Sequence, residues 1–275
     1  MTGSLCCGPV MGGVKKLDRE GAGRMWALYD AMIDGIPEDC LVKDLVCGHG
    51  RVLVESELGF GFSGIVAGRT RPVGMLSKPP GMKLKDLAAC VKSWNLEEAS
   101  VGQAAINAYY NALPVAVNNG VPVSHVRFAE DRVHDPFISY QNAIRGKKVA
   151  VVGHFHYLDQ LFRPVCDLSV LEFAPQEGDY PEWAAEALLP EAEFVVITAV
   201  ALINKSLPRL LSLAKGAKVV VVGPSTPMAP MLREFGVSDL SGIVIKDGEK
   251  ARRICSGQEN LKIYTSGQKV SLRFG

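Results

Sequence analysis

The sequence predicts an α/β chain in two parts, a smaller α+β part followed by a larger one built on a parallel sheet with helices on both faces. Three observations carry this. Short β-branched segments crowd the first third of the chain and two helical segments follow them, which is the α+β order of elements. Beyond about Arg145, strands and helices alternate, which implies right-handed crossovers between parallel strands. The strands there are unbroken Val/Ile runs, VAVV, FVVIT and KVVVV, as required of strands buried on both faces.

The elements follow in order. Met1 to Val14 holds glycines with Cys6 and Cys7 but neither a basic start nor an apolar stretch long enough for secretion, so residues 1–23 read as a flexible leader. From Arg24 to Ile36, Met25, Leu28, Met32 and Ile33 recur at helical spacing, and Gly35 with Pro37 stops the run. Leu41 to Cys47 and Arg51 to Glu55 read as strands about Gly48-His49-Gly50, with a third expected from Gly64 to Ala67. Helices are predicted from Leu84 to Trp94 and from Ser100 to Ala112, the second opened by a Ser100–Gln103 capping pattern. Asn118 to Asp135 is rich in turn formers and Pro136 to Ile144 reads as helix. The boundary falls at Arg145, giving an α+β domain over 24–145 and a Rossmann-like ligand-binding domain over 146–275.

In that second domain, strands are predicted at Lys148 to Val152, Leu168 to Phe173, Phe194 to Thr198, Lys218 to Val222 and Ile243 to Lys246. Helices are predicted between them at Tyr157 to Arg163, Pro181 to Leu189, Lys205 to Ala214 and Met228 to Phe235.

Composition narrows the function classes. A chain of 275 residues that is 48% hydrophobic can build two cores. Thirty Lys and Arg against 29 Asp and Glu leave a net charge of +1, too weak a field for nucleic acid, and that partner is not expected. The longest apolar run, about Val219 to Val222, is far below the roughly 18 residues that span a bilayer, so no membrane partner is expected either. Seven cysteines, Cys6, Cys7, Cys40, Cys47, Cys90, Cys166 and Cys255, form no C-x-x-C pair. Scattered thiols of this kind fit a cytoplasmic protein without a zinc ribbon or a disulfide framework.

Ligands of open α/β sheets gather beyond the carboxyl ends of the strands, so the residues after each strand are the candidates. Gly153-His154-Phe155-His156 follows the first parallel strand where a dinucleotide fold would carry G-x-G-x-x-G, and NAD(P) is disfavoured because Phe155 and His156 fill positions where small residues admit a pyrophosphate. Glu172 ends the second strand near the place from which a carboxylate holds a ribose hydroxyl, although a solvated loop carboxylate would look the same. Thr198 ends the third strand, and Asn204 stands where it could cap the next helix or turn its amide to a ligand. Gly223-Pro224-Ser225-Thr226-Pro227 after the fourth strand offers two hydroxyls and several amides to an anion, or is only a turn shaped by its Gly and Pro. His154 and His156 form an H-x-H that an extended segment would aim to one side, as two metal ligands, and Cys47 with His49 forms a weaker C-x-H pair. Nucleophile-elbow, zinc-protease and P-loop motifs are absent.

The blocks KKVAVVGHF, ALLPEAEFVVITAVALINKSL and VVVVGPSTPM together resemble the putative heavy-metal chelation family, and SVGQAAINAYYNA at Ser100 to Ala112 resembles the enolase N-terminal-like domain that precedes the Rossmann-like domain in it. The resemblance covers nearly the whole chain after about residue 24. It implies a ligand cleft between the two domains, with Gly153, His154, Asn204, Ser225 and Thr226 on one wall and Asn107 near the other. The family's pattern has Gly and Thr where this chain has Ala199 and Ser206.

Two functions compete. In the first, the cleft binds a transition-metal ion or, better matched to so few histidines, an anionic metal chelate. In the second, the cleft belongs to an enzyme acting on a nucleotide-like or carboxylated metabolite, with Glu172 holding a hydroxyl and His154 as acid or base. A scaffold without ligand is the third reading, and the polar groups after successive strands speak against it. The expected partner is a small molecule or metal chelate, and homo-oligomerisation is left open.

Overall fold

The computed structural model describes residues 19–68, 71, 80–124 and 135–274. The predicted leader up to residue 18 and the turn-rich stretch over 125–134 lie outside the described residues. Helix α1 (Arg19–Asp34) starts before the predicted Arg24. A three-stranded antiparallel sheet follows, in the order β1 (Val42–Gly48), β2 (Arg51–Ser56) and β3 (Phe60–Gly64). His49 and Gly50 join β1 to β2 with φ of 49° and 73°, the left-handed pair of a two-residue hairpin.

The third strand lies before the predicted Gly64–Ala67. The Ser56 hydroxyl accepts the N–H groups of Leu58 and Gly59, both at 3.2 Å, and this tight return starts β3 at once. Its sequence, FGFSG, lacks β-branched residues and so carries little strand signal.

Helices α2 (Leu84–Ala88), α3 (Leu96–Tyr110) and α4 (Leu113–Asn118) come next, with a 3₁₀ turn over Ala89–Lys92. The predicted cap at Ser100 is corrected: Asn95 accepts the N–H groups of Glu97 and Glu98, both at 3.1 Å, and opens α3 a turn earlier. Ser100 is inside the helix, its hydroxyl donating to Leu96 O at 2.7 Å. Gly61 lets β3 lie directly on α3, since a Cβ there would meet Ala108 N at 2.0 Å.

After α5 (Pro136–Ser139) the chain builds a seven-stranded sheet. Its strands are β4 (Lys148–Val152), β5 (Asp167–Glu172), β6 (Tyr180–Pro181), β7 (Phe194–Thr198), β8 (Lys218–Val222), β9 (Asp239–Ile245) and β10 (Gly267–Arg273). Their order is β10-β9-β8-β7-β4-β5-β6, parallel throughout except for β10 against β9. The helices are α6 (Leu158–Leu161), α7 (Ala185–Leu188), α8 (Val200–Ile203), α9 (Leu207–Leu213) and α10 (Gly248–Cys255). Two strands exceed the predicted five. β6 is a two-residue edge containing Pro181, and β10 alternates polar with apolar residues as an outer strand does. The expected helix at Met228–Phe235 is a 3₁₀ segment over Pro230–Phe235.

Alternation along each strand divides the core. Val149, Val151, Val170, Phe194, Val196 and Val220 face Phe137, Tyr140, Ile144, Leu158 and Phe162 on one side of the parallel sheet. Ala150, Val152, Val195, Ile197, Val219 and Val221 face the other side, in a cluster that continues into Leu28, Met32, Val52, Val54, Ala104 and Ala108 of the first part. A third cluster joins Leu53 and Phe62 to Ile243, Ile245, Ile254 and Cys255. No helix among the described residues is long and apolar enough to cross a membrane.

Candidate functional site at the carboxyl edge of the parallel sheet

Strand β4 lies between β5 and β7, so the chain's path across the sheet reverses between β4 and β7, and the crevice beyond their carboxyl ends is the natural ligand position. Gly153 ends β4 with φ of 104°, and a Cβ on it would stand 3.0 Å from Cβ and Cγ2 of Thr198 at the end of β7. Gly223 ends β8 with φ of 122°. The edge is therefore lined by bare backbone at two of three adjacent strand ends.

His154 is the polar side chain best fixed there. Its backbone N–H donates to Glu172 Oε2 at 2.8 Å, and its ring Nδ1 lies 3.0 and 3.2 Å from the two carboxylate oxygens of Asp179. Glu172 Oε1 accepts the N–H of Phe173 at 2.8 Å, so both oxygens of Glu172 hold backbone and the carboxylate acts as a clamp on the polypeptide. Asp179 also accepts the N–H of Gln176 at 3.1 Å, closing the loop between β5 and β6 on itself.

The loop after β4 leads into α6, a helix of a single turn whose first residue has no side-chain cap. Phe155 packs on Phe137 with ring centroids 4.8 Å apart. His156 is exposed, and the segment from Gly153 to Tyr157 is irregular, so it lacks the extended geometry on which the H-x-H reading rested. Among the described residues no three His, Cys, Asp or Glu side chains are grouped to hold a metal ion.

Ser225, Thr226 and Asn107 form a second group, all buried. Asn107 Nδ2 donates to Ser225 O at 2.9 Å and to Phe62 O at 2.8 Å, so these residues are bonded across the junction of the two parts rather than facing each other over a gap. Ser225 Oγ accepts the N–H of Gly64 at 3.0 Å and thereby carries the end of β3 to the carboxyl edge of the parallel sheet. Thr226 Oγ1 has no hydrogen-bond partner among the described residues, nor has Gln103 Oε1.

Asn204 stands apart from both groups. It is exposed after α8, its Oδ1 accepting the N–H of Ser206 at 3.0 Å and the Ser206 hydroxyl at 2.7 Å, while Ser206 itself occupies the N-cap of α9. The predicted helix cap is thus a local turn. Its cause is Lys205, left-handed at φ of 66° and buried, with Nζ donating to Ile203 O at 2.8 Å and to Ser93 O. Burial pulls the Lys205 ammonium down to about 8. Two surface hollows, one of about 540 Å³ beside Gly35, Tyr109 and Met231 and one of about 700 Å³ beside Leu28, Lys205 and Phe235, are lined by none of the predicted site residues.

Sequence reasoning missed Asp179, Gln103 and Asn111. Asp179 carried no signal because it meets His154 from 25 residues away, out of a polar loop. Gln103 and Asn107 of α3, with Asn111 at its C-cap, were legible in principle as a polar stripe repeating every four residues.

Similarity to known proteins agrees with this architecture. A crystal structure of a protein of unknown function from Desulfitobacterium hafniense superposes with a TM-score of 0.85 at 49% identity, covering 91% of this chain and 99% of that one. A second, from Pyrococcus horikoshii, shares the fold with a TM-score of 0.63 at 19% identity, covering 92% and 99%. An uncharacterized protein of Methanocaldococcus jannaschii is 27% identical over 175 residues, 61% of this chain, and the match spans 62% of that relative. Two family models, both described as putative heavy-metal chelation, match residues 29–110 and 135–273, and the chain belongs to that family.

Proposed function

We propose that the protein binds a small molecule carrying a metal centre at the carboxyl edge of its parallel sheet, over Gly153, Thr198 and Gly223, with His154 as the fixed contact. The observation that carries this reading is the imidazole held at its ring by Asp179 and at its backbone by Glu172, beside a strand end that lacks a Cβ. One carboxylate adjoins that imidazole and a second accepts the backbone N–H of the same residue, so the local field suits a metal better than a bare anion. The hydroxyls of Ser225 and Thr226, attractive to an anion in the sequence, are buried against α3 and β3.

The same geometry favours a second reading, an enzyme in which His154 moves a proton, because a carboxylate on Nδ1 fixes the tautomer a general base needs. His154→Ala separates the two. Titration calorimetry of the parent with the nitrilotriacetate complexes of copper(II) and nickel(II) should show binding that the variant weakens tenfold or more, at an unchanged melting temperature. A parent that binds none of them, or a variant that binds them equally, would refute the binding reading. Retained binding with lost turnover on a carboxylated metabolite would establish the enzyme.

A further inference from the structure

We infer that Asp179 and His154 form a one-armed metal anchor, in which Nε2 of His154 is a single protein donor to a metal that arrives already chelated and has one exchangeable coordination position. This rests on the binding reading above and names its ligand class.

The argument begins with the ring. A carboxylate accepts hydrogen bonds, and both Asp179 oxygens lie within 3.2 Å of Nδ1, so Nδ1 is the protonated nitrogen and in the neutral ring the lone pair is on Nε2. The Asp179 side chain is 3% exposed and that of His154 25%, so the carboxylate is enclosed while the imidazole reaches solvent. Nε2 has no partner among the described residues. Histidines that ligate metals commonly give their other N–H to a carboxylate in this way, which sets the tautomer and raises the basicity of the donor nitrogen.

The rest of the coordination sphere is what the protein does not supply. With no three donor side chains grouped among the described residues, one imidazole has to act alone, and alone it competes poorly with water for a free ion. A multidentate organic chelator removes that difficulty, since it brings the other donors and offers its own frame to the protein. Surface for such a frame is present. The residues directly after the two clamping carboxylates are aromatic and exposed, Phe173 at 81% and Tyr180 at 46%. On binding, a water leaves the metal, the Nε2 lone pair takes its place and the Nδ1 proton remains shared with Asp179. No electron is transferred.

The test is a titration of tag-free, full-length protein with copper(II)–nitrilotriacetate, followed by electron paramagnetic resonance. At one equivalent the parent should show the spin-echo modulation of a remote imidazole nitrogen, which nitrilotriacetate itself does not give, and His154→Ala should lose it. Asp179→Asn should weaken binding about tenfold, the usual effect of removing such a partner, which a surface histidine elsewhere would not sense. Cobalt(III)–EDTA, which has no exchangeable position, should not compete. Equal competition by the cobalt complex in parent and His154→Ala would overturn ligation while leaving the carboxyl-edge site standing, and failure of both complexes to bind would remove both proposals. An unchanged affinity in Asp179→Asn would reduce the pair to a loop staple. Equal loss of the signal in His156→Ala would overturn the single-donor form.

Discussion

Asp239 stands at the amino end of β9, at the edge of the sheet opposite to the candidate site. Its side chain is almost fully enclosed, and Lys218 Nζ lies 3.2 Å from Oδ2 without reaching hydrogen-bonding geometry. Burial lifts its carboxyl from the ordinary 3.8 to about 6, against the opposing pull of Arg273 and of the Phe274 N–H. The folded protein therefore holds this proton more tightly than the unfolded chain. The stability it contributes is complete below pH 3.8 and is lost as pH rises through about 6. Urea midpoints should show this term declining between pH 4 and 7, by at most about 3 kcal/mol, and Asp239→Asn should flatten that part of the profile. A profile identical in parent and variant would show that Lys218 compensates the buried charge. None of this was legible in the sequence, where Asp239 is one acid among many and its partner Lys218 opens a different strand. His154 was legible because a residue following a strand-ending glycine is a candidate in any parallel sheet, whereas the carboxylate that fixes its ring was not.

Helix α3 is the element that joins the two sheets. Gln103, Asn107 and Asn111 recur every four residues and so lie along one face, and each reaches the turn after β8. Asn111 alone donates to Thr226 O and Ile243 O and accepts the N–H of Met228, and Asn107 and Gln103 both donate to Ser225 O. The turn read from its composition as an anion cradle is thus seated by backbone groups on a polar helix face. This separates its two hydroxyls. Ser225→Ala leaves the half-buried N–H of Gly64 without its partner and should cost about 1 kcal/mol in a denaturant melt. Thr226→Val replaces a hydroxyl with no partner and should be neutral or stabilising. The opposite order would mean that Thr226, not Ser225, holds the junction.

For the whole molecule, the decisive feature is a core shared between the two parts. Leu28, Met32, Val52 and Ala104 belong to the same buried cluster as Val195, Ile197 and Val221, and the Tyr29 hydroxyl donates to Leu202 O at 2.9 Å inside it. Each half was expected to close its own core. With one face of the parallel sheet covered by the first part, the chain should unfold as a single cooperative unit. Calorimetry should give one transition whose van't Hoff and calorimetric enthalpies agree, and residues 146–275 expressed alone should expose that apolar face and associate or fail to fold. Two separated transitions would show independent domains.

The sequence by itself determined the strand framework of the second part and the position of its carboxyl edge. β4, β7 and β8 have the predicted bounds, because strands buried on both faces must be apolar at every position and so announce themselves locally. It also determined that Gly153 and His154 would stand at that edge, since order along the chain fixes which residues come after a strand. Tertiary structure alone decided which polar residues meet there. It turned Asn204 outward through a left-handed Lys205, gave both Glu172 oxygens to backbone, buried Ser225 and Thr226 against α3, and brought Asp179 to the imidazole. Those outcomes depend on which side chains lie near each other across the fold, and a hydrogen bond between residues distant in the chain leaves no period or composition in the sequence to read.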